Sequence, residues 1–400
     1  MALVTDDDNG APSAAAGAGA GGGNGGADGP RREDTEDAGA RGATQSGKRR
    51  LLTIFAGGDG FSSAATHGRA AARWETAGFC ENNGSLIRWW EEEHGEGKLL
   101  GPYFTEVDDE GRVTKGVFEM LKDGELDLGV IDACVITAPC QDFCKVNPDA
   151  QGATGSQGRL FASTPEFVER LARTHDVGAF VFEEAQETLD EPTLTDPDNG
   201  LLAVLARANY WSAHGTVQFW RVGVPSTRSR MGLVAVRASR MRRPGPFELP
   251  GGIPADGSYP RPPALQPYLL PPDAVPDELR ENSADMEWLP ADHRQSAPPA
   301  HQVGRMRNEQ KSAMVYCPRK GTGLTLRANT YRAEGPGNVT GLYWDGASPR
   351  RLAPVEVLRM HAFPERLARH PTRLIYKVVG NSVPVQWAEE VLHLIDALLQ

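Results

Sequence analysis

From residue 51 onward the chain falls into short apolar runs separated by stretches in which apolar positions recur every three or four residues. The runs 51–56, 70–74, 133–137, 177–182 and 231–236 have the length of buried strands, whereas 165–174 has the spacing of an amphipathic helix. Strands alternating with helices in this way predict βαβ units around a mostly parallel sheet, an α/β domain spanning 51–237. Residues 1–50 break the pattern. They hold almost no large apolar side chains, so they cannot bury enough surface to offset their ordering entropy and are expected to be a disordered low-complexity tail. The tail ends in Lys48-Arg49-Arg50, which suits a nuclear address, a nucleic-acid contact or a solvated charge cluster.

After residue 237 the composition turns to proline, with Pro-Pro pairs starting at 262, 271 and 298 and no sustained periodicity up to 299. An irregular second domain is predicted over 238–345, with β-like pieces at 313–316, 324–327 and 341–344. The segment 346–400 contains two helical patterns, 354–360 and 387–399, the second amphipathic and expected to pack back on the first domain. There is no internal repeat.

Composition narrows the function. No run of about 18 apolar residues is present and the N-terminus is acidic rather than basic then apolar, so a soluble, intracellular protein without a membrane partner is expected. The five cysteines, Cys80, Cys134, Cys140, Cys144 and Cys317, show no zinc spacing, so neither a disulfide framework nor a metal is expected. A formal charge of -11 argues against indiscriminate binding to a polyanion. Two local stretches run against it. Residues 221–243 hold seven arginines and no acid, and 304–332 hold seven basic residues against Glu309 alone. Both are expected to line one nucleic-acid cleft, the other reading being scattered solvated arginines.

The candidate chemistry gathers where the apolar runs end. Phe55-Ala-Gly-Gly-Asp-Gly60 is a strand entering a glycine-rich turn and a helix, which lets backbone N–H groups approach a nucleotide, although the spacing is not that of a dinucleotide site. Trp74 and Glu75, closing the next run, are candidates for an adenine stack and a ribose contact. The run before Pro139-Cys140-Gln141 delivers a cysteine to the carboxyl end of a strand, where a thiolate nucleophile is served, while Cys134 reads as packing. Another run delivers Glu183-Glu184, adjacent carboxylates that raise each other's pKa if desolvated, helping one stay protonated. Arg228 and Arg230 fall on one face of the run that follows them.

In order along the chain these blocks resemble the C5-cytosine DNA methyltransferases over about 51–237 and 302–400. Phe55-Ala-Gly-Gly-Asp-Gly-Phe61 is similar to the family's FAGxGGF cofactor loop, and Pro139-Cys-Gln141 matches its PCQ nucleophile loop. Phe182-Glu-Glu-Ala185 resembles ENV, and Val224-Pro-Ser-Thr-Arg-Ser-Arg230 resembles VPQxRxR. Arg350-Arg-Leu-Ala-Pro-Val-Glu356 with Phe363-Pro364, then Tyr376-Lys-Val-Val-Gly-Asn-Ser-Val-Pro384, resemble the RRLTPRE, GFP and YKxxGNSVP blocks. Three positions depart: Ala138, Glu184 and Ser226 stand where the family carries Pro, Asn and Gln. They put a possible extra charge beside Glu183 and could loosen the loop carrying Cys140.

The resemblance implies a class I, Rossmann-like methyltransferase domain with helices on both faces of its sheet, a target-recognition domain over 238–345, and a C-terminal return to the first domain. It implies S-adenosyl-L-methionine as cofactor, held by Phe55, Ala56, Gly57, Gly58, Asp59, Gly60, Trp74, Glu75, Pro139, Leu160, Asn381, Ser382 and Val383. It implies Cys140, Glu183, Arg228 and Arg230 as catalytic residues acting on a cytosine flipped out of double-stranded DNA. An acid among 106–125 is expected at the adenine amino group. A monomer is the expected oligomeric state, with nuclear location if the source is eukaryotic. An RNA cytosine methyltransferase of the same fold and a non-catalytic DNA-binding relative remain open alternatives.

Overall fold

The structure, a computed structural model, describes residues 47–144, 147, 149–254, 262–280, 286–288, 302–308, 311–316, 318, 342–346 and 348–400. The expected tail up to residue 46, the piece 324–327, Cys317 and most of the second basic stretch lie outside the described residues.

Seven strands make the main sheet: β1 (Arg49–Ile54), β2 (Trp74–Cys80), β3 (Leu99–Gly101), β4 (Ile131–Ile136), β5 (Val177–Glu184), β6 (Tyr210–Gln218) and β7 (Ser229–Arg237). Their order is β3-β2-β1-β4-β5-β7-β6. Only β7 runs against its neighbours. The near-continuous apolar runs follow from burial of both faces. Leu51, Ala133, Val135, Ala179 and Val181 belong to one core, and Leu52, Ile54, Cys134, Ile136, Phe180 and Phe182 to the other. Helices α1 (Gly60–His67), α2 (Gly84–His94), α4 (Thr372–Gly380) and α5 (Val385–Leu398) supply the first core, and α3 (Thr164–Thr174) the second.

The amphipathic C-terminal pattern packs as expected. Trp387 of α5 lies edge-on to Phe61 of α1 at 5.7 Å between centroids, and Glu389 pairs with Arg69 at 2.8 Å. A second sheet of five strands, Met286–Trp288, Gln302–Asn308, Lys311–Tyr316, Leu342–Trp344 and Pro349–Arg350, accounts for the β-like pieces at 313–316 and 341–344.

Several expectations need correction. The run 70–74 is not a strand: Arg69–Ala72 is a 3-10 turn and β2 begins only at Trp74. Four alanine and arginine positions with no β-branched side chain gain little from a pleated surface. Strand β6 escaped detection because Trp211, Ser212 and His214 are exposed, leaving no apolar run. The 221–243 arginines do not line one cleft. Arg228 and Arg230 sit at the start of β7, but Arg237, about 23 Å further along the strand, bonds the Val177 and Ala172 carbonyls at 3.0 and 2.8 Å. Arg240 bonds Asp132 at 2.7 Å and Arg242 bonds the Leu399 carbonyl at 2.7 Å. Nor is Lys48-Arg49-Arg50 a free cluster. Arg49 pairs with Asp396 at 2.8 Å and Asp132 at 3.5 Å, and Arg50 bonds the Leu128 carbonyl at 2.7 Å.

Candidate active site

Register decides where the chemistry converges. Cys80, Ile54, Ile136, Phe182 and Leu233 are successive cross-strand partners, so they form one row near the carboxyl edge of the parallel strands. The next residues along the chain leave the sheet together at that edge: Phe55 into the glycine turn, Glu81 after β2, residues 137–140 after β4, and Glu183 at the end of β5. Because β7 is antiparallel, its beginning rather than its end reaches the same edge, with Met231 opposite Glu184. That reversal brings Arg228 and Arg230 to Glu183.

The glycine turn is shaped by close backbone contact. A Cβ on Gly58 would lie 2.1 Å from the Val378 carbonyl oxygen and 2.8 Å from the Ser382 Cβ, and one on Gly60 would lie 2.2 Å from the Val383 oxygen. Gly57, at φ +54, also abuts the Asn381 carbonyl. Residues 381–383 thus close against the turn across more than 300 positions of sequence. Phe55 takes the left-handed region at φ 59, a cost that the surrounding structure must hold in place. Replacing Gly58 with Ala is expected to destabilise the protein by about 1–3 kcal/mol, as overpacking does. Urea unfolding would measure the loss, and a midpoint unchanged from the parent chain would contradict the packing described.

Two assignments at the turn are corrected. Trp74 and Glu75 pair with Arg49 and Arg50 at the opposite end of β1, about 20 Å of strand away from Cys80. Trp74 is core, 1% exposed. The carboxylate at the turn is Glu81, whose Oε2 accepts from the Gly57 N–H at 2.8 Å and whose Oε1 accepts from the Asn82 and Asn83 N–H groups at 3.0 and 2.9 Å. Sequence reasoning missed it because the strand start was misread. The signal was present, since an acid following an apolar strand is the expected pattern. Among the acids of 106–125, Glu106 accepts from the Asn82 side chain at 2.9 Å and so lies next to Glu81.

Asp59 faces inward instead of outward. Its carboxylate caps α1 through the Ser62 N–H at 2.9 Å and accepts from Thr53, Ser62 and the Trp90 indole at 2.9, 2.5 and 2.8 Å. Burial raises its pKa against the pull of those donors. Four donors hold this carboxylate and it is buried, so it serves the fold of the turn, whereas Glu81 is only partly buried.

Cys140 and Leu160 are partly buried against the second core. The Cys140 loop is tied down by Asp142, which accepts from the Gln157 and Gly158 N–H groups at 2.8 Å each. Thr137 holds the loop to the glycine turn by donating to the Phe55 carbonyl at 2.9 Å. Cys140 Sγ lies 3.7 Å from Cys144 Sγ. The thiols share one hydrogen bond and both feel the Arg230 cation. The first proton therefore leaves the pair more readily than from an ordinary thiol, and the second less readily.

Glu183 is 7% exposed and clasped by two guanidiniums: Arg230 Nε at 3.0 Å and Arg228 Nη2 at 3.4 Å. Arg228 also bonds the Gly380 carbonyl at 2.9 Å, joining Glu183 to the end of α4. Burial lowers the Arg228 pKa to about 10, which leaves it charged at neutral pH.

The departures read differently in three dimensions. Glu184 is 1% exposed; one carboxyl oxygen accepts from the Ala185 N–H at 2.6 Å, and the other has no hydrogen-bond partner among the described residues. Burial, reinforced by Cys140 and Glu183, pushes its pKa well above the usual carboxylate range. Enclosure thus favours its protonated form, which works against the extra charge expected beside Glu183. Ser226 takes up the lost amide role in part, accepting from the Arg228 N–H at 3.3 Å.

A stability prediction follows from Glu184. The folded state keeps its proton where the unfolded state has lost it, so this group erodes stability as pH rises above the ordinary glutamate range. Glu184→Gln is expected to gain on the parent chain from mildly acid to mildly alkaline pH, read as the difference in urea midpoints. A difference that stays flat with pH would contradict a buried neutral carboxyl.

Taken together, the turn backbone, Glu81, Phe55 and Leu160 offer N–H donors, an acid suited to hydroxyls and apolar surface, a set that fits a nucleoside cofactor. Beside it stand a held thiol and an acid under two cations. No helix among the described residues is long and apolar enough to cross a membrane.

Comparison with known proteins bears on the family and the fold. The family model "C-5 cytosine-specific DNA methylase" matches residues 52–397. Among solved structures, a variant of DNMT2 from Spodoptera frugiperda is similar at TM-score 0.55 and 15% identity, covering 87% of this chain and 100% of its own. The methyltransferase EhMeth of Entamoeba histolytica gives 0.56, 12%, 87% and 98%, and the S. pombe Dnmt2 methyltransferase 0.55, 14%, 87% and 98%, in the same order. No curated protein matches.

Proposed function

The chain belongs to the C-5 cytosine-specific DNA methylase family, and from that membership we propose that it is a DNA (cytosine-5-)-methyltransferase acting on double-stranded DNA. The convergence of Cys140, Glu183, Arg228 and Arg230 beside the glycine turn supports this reading most directly. S-adenosyl-L-methionine would supply an activated methyl group. Phe55 to Gly58, Gly60 and Glu81 would hold it, with Pro139 and Leu160 alongside and Asn381, Ser382 and Val383 closing behind the turn.

Cytosine C5 is a weak nucleophile. Attack of the Cys140 thiolate on C6 forms a C–S bond and moves electron density toward C5. Glu183 protonates or hydrogen-bonds N3, where charge develops, and Arg228 and Arg230 fix the carboxyl group that does so. After methyl transfer, loss of the C5 proton expels Cys140 and restores the ring. None of these atoms is reachable in a stacked duplex, so the base is flipped out at a cost of a few kcal/mol. Four of the five strands of the second sheet fall within 238–345, the region that the resemblance gives to target recognition, and Pro349–Arg350 lies just beyond it. None of the departures at Ala138, Glu184 and Ser226 removes a group to which this reading gives bond-making chemistry.

Methylome sequencing of a methylation-free host expressing the chain tests activity and sequence preference together. New 5-methylcytosine in genomic DNA is the expected result. Competition with tRNA separates the nucleic acids, since preferential methylation of tRNA would replace this reading by an RNA methyltransferase. No methylation of either would leave the non-catalytic alternative.

A further inference from the structure

The Cys140–Cys144 pair is not required by the reaction above, and its geometry asks for a separate account. The two sulfurs are 3.7 Å apart. A disulfide needs about 2.05 Å, so an approach of about 1.7 Å suffices. The intervening chain is a turn rather than a helix, closed by the Phe143 N–H on the Cys140 carbonyl at 3.1 Å. Both thiols are partly exposed, whereas Cys80 and Cys134 are buried within the sheet, where burial raises their pKa far above the thiol range. The Arg230 cation and the shared hydrogen bond favour one thiolate in the pair, the species that oxidants attack.

We infer that Cys140 and Cys144 form a reversible intramolecular disulfide under oxidation, a modification that withdraws the nucleophile and returns it on reduction. The regulatory half of this inference rests on the reading of Cys140 as the nucleophile. The disulfide itself does not. With hydrogen peroxide as oxidant, a thiolate displaces hydroxide from one oxygen and becomes a sulfenic acid. The second thiol then attacks that sulfur, the S–S bond forms, the S–O bond breaks and water leaves. Two thiols have lost two electrons and two protons, and the peroxide has become two waters.

The test treats the whole chain with hydrogen peroxide, alkylates the remaining thiols with N-ethylmaleimide and maps them by peptide mass. Cys140 and Cys144 are expected to lose label together with loss of two hydrogens, while Cys80 and Cys134 stay reduced. Dithiothreitol is expected to restore both thiols and, in step, covalent trapping on DNA containing 5-fluorocytosine. In Cys144→Ser, oxidation of Cys140 is expected to proceed to acids that dithiothreitol does not reverse. Independent oxidation of the two thiols in the parent chain, or the same reversible course in Cys144→Ser, would overturn the inference. A disulfide that forms in a chain whose reduced state never traps DNA would uphold the modification and remove the methyltransferase reading instead.

Discussion

Cys140→Ser is expected to abolish the covalent adduct with 5-fluorocytosine DNA and to lower methyl transfer by at least about a thousandfold. The size follows from the chemistry. A serine hydroxyl is a much weaker nucleophile than a thiol, of which a few per cent is already thiolate at neutral pH. The Arg230 cation favours one thiolate in the Cys140–Cys144 pair, and an alkoxide lies far beyond its reach. Fold should survive, because the side chain is only partly buried and the loop is held by Asp142 and Thr137 instead. The measurement is a denaturing gel for the adduct beside a radiolabelled methyl-transfer assay. An adduct of undiminished yield would show that another residue attacks C6.

Glu183→Ala should be harmful twice over. General acid catalysis by a positioned side chain contributes typically about 10²–10⁴-fold, and that factor is lost when no group remains to serve N3. The same change strands Arg228, 4% exposed, with a positive charge in the core, and breaking a buried pair from one side costs about 3–5 kcal/mol. Glu183→Gln separates the two effects, since the amide keeps the shape and an oxygen toward both guanidiniums while losing the acid. It is expected to lose activity nearly as fully while keeping most of the stability. Full activity in Glu183→Gln would mean that N3 is served by hydrogen bonding alone, and equal instability of both variants would mean that shape rather than charge holds the pocket.

These expectations draw unevenly on sequence and structure. The strand ends that carry Phe55, Cys140 and Glu183 were legible because strands buried on both faces must be apolar throughout, which makes their polar successors conspicuous. Glu81 was not. The apolar run 70–74 stands just ahead of the true strand, and reading it as the strand carries the expected acid to Glu75. Asp59 was misread for another reason: a carboxylate in a glycine turn looks available until the Thr53, Ser62 and Trp90 donors around it are seen.

By itself the sequence determined which residue types stand at the ends of which strands and in what order, because hydrophobic periodicity and block spacing are local properties of the chain. Only the tertiary structure decided which of those ends meet. The antiparallel entry of β7 brings Arg228 and Arg230 onto Glu183, the approach of 378–383 excludes a Cβ at Gly58, and enclosure favours the protonated form of Glu184. Register, close backbone contact and desolvation arise between segments far apart in the chain, and no window of local sequence contains them.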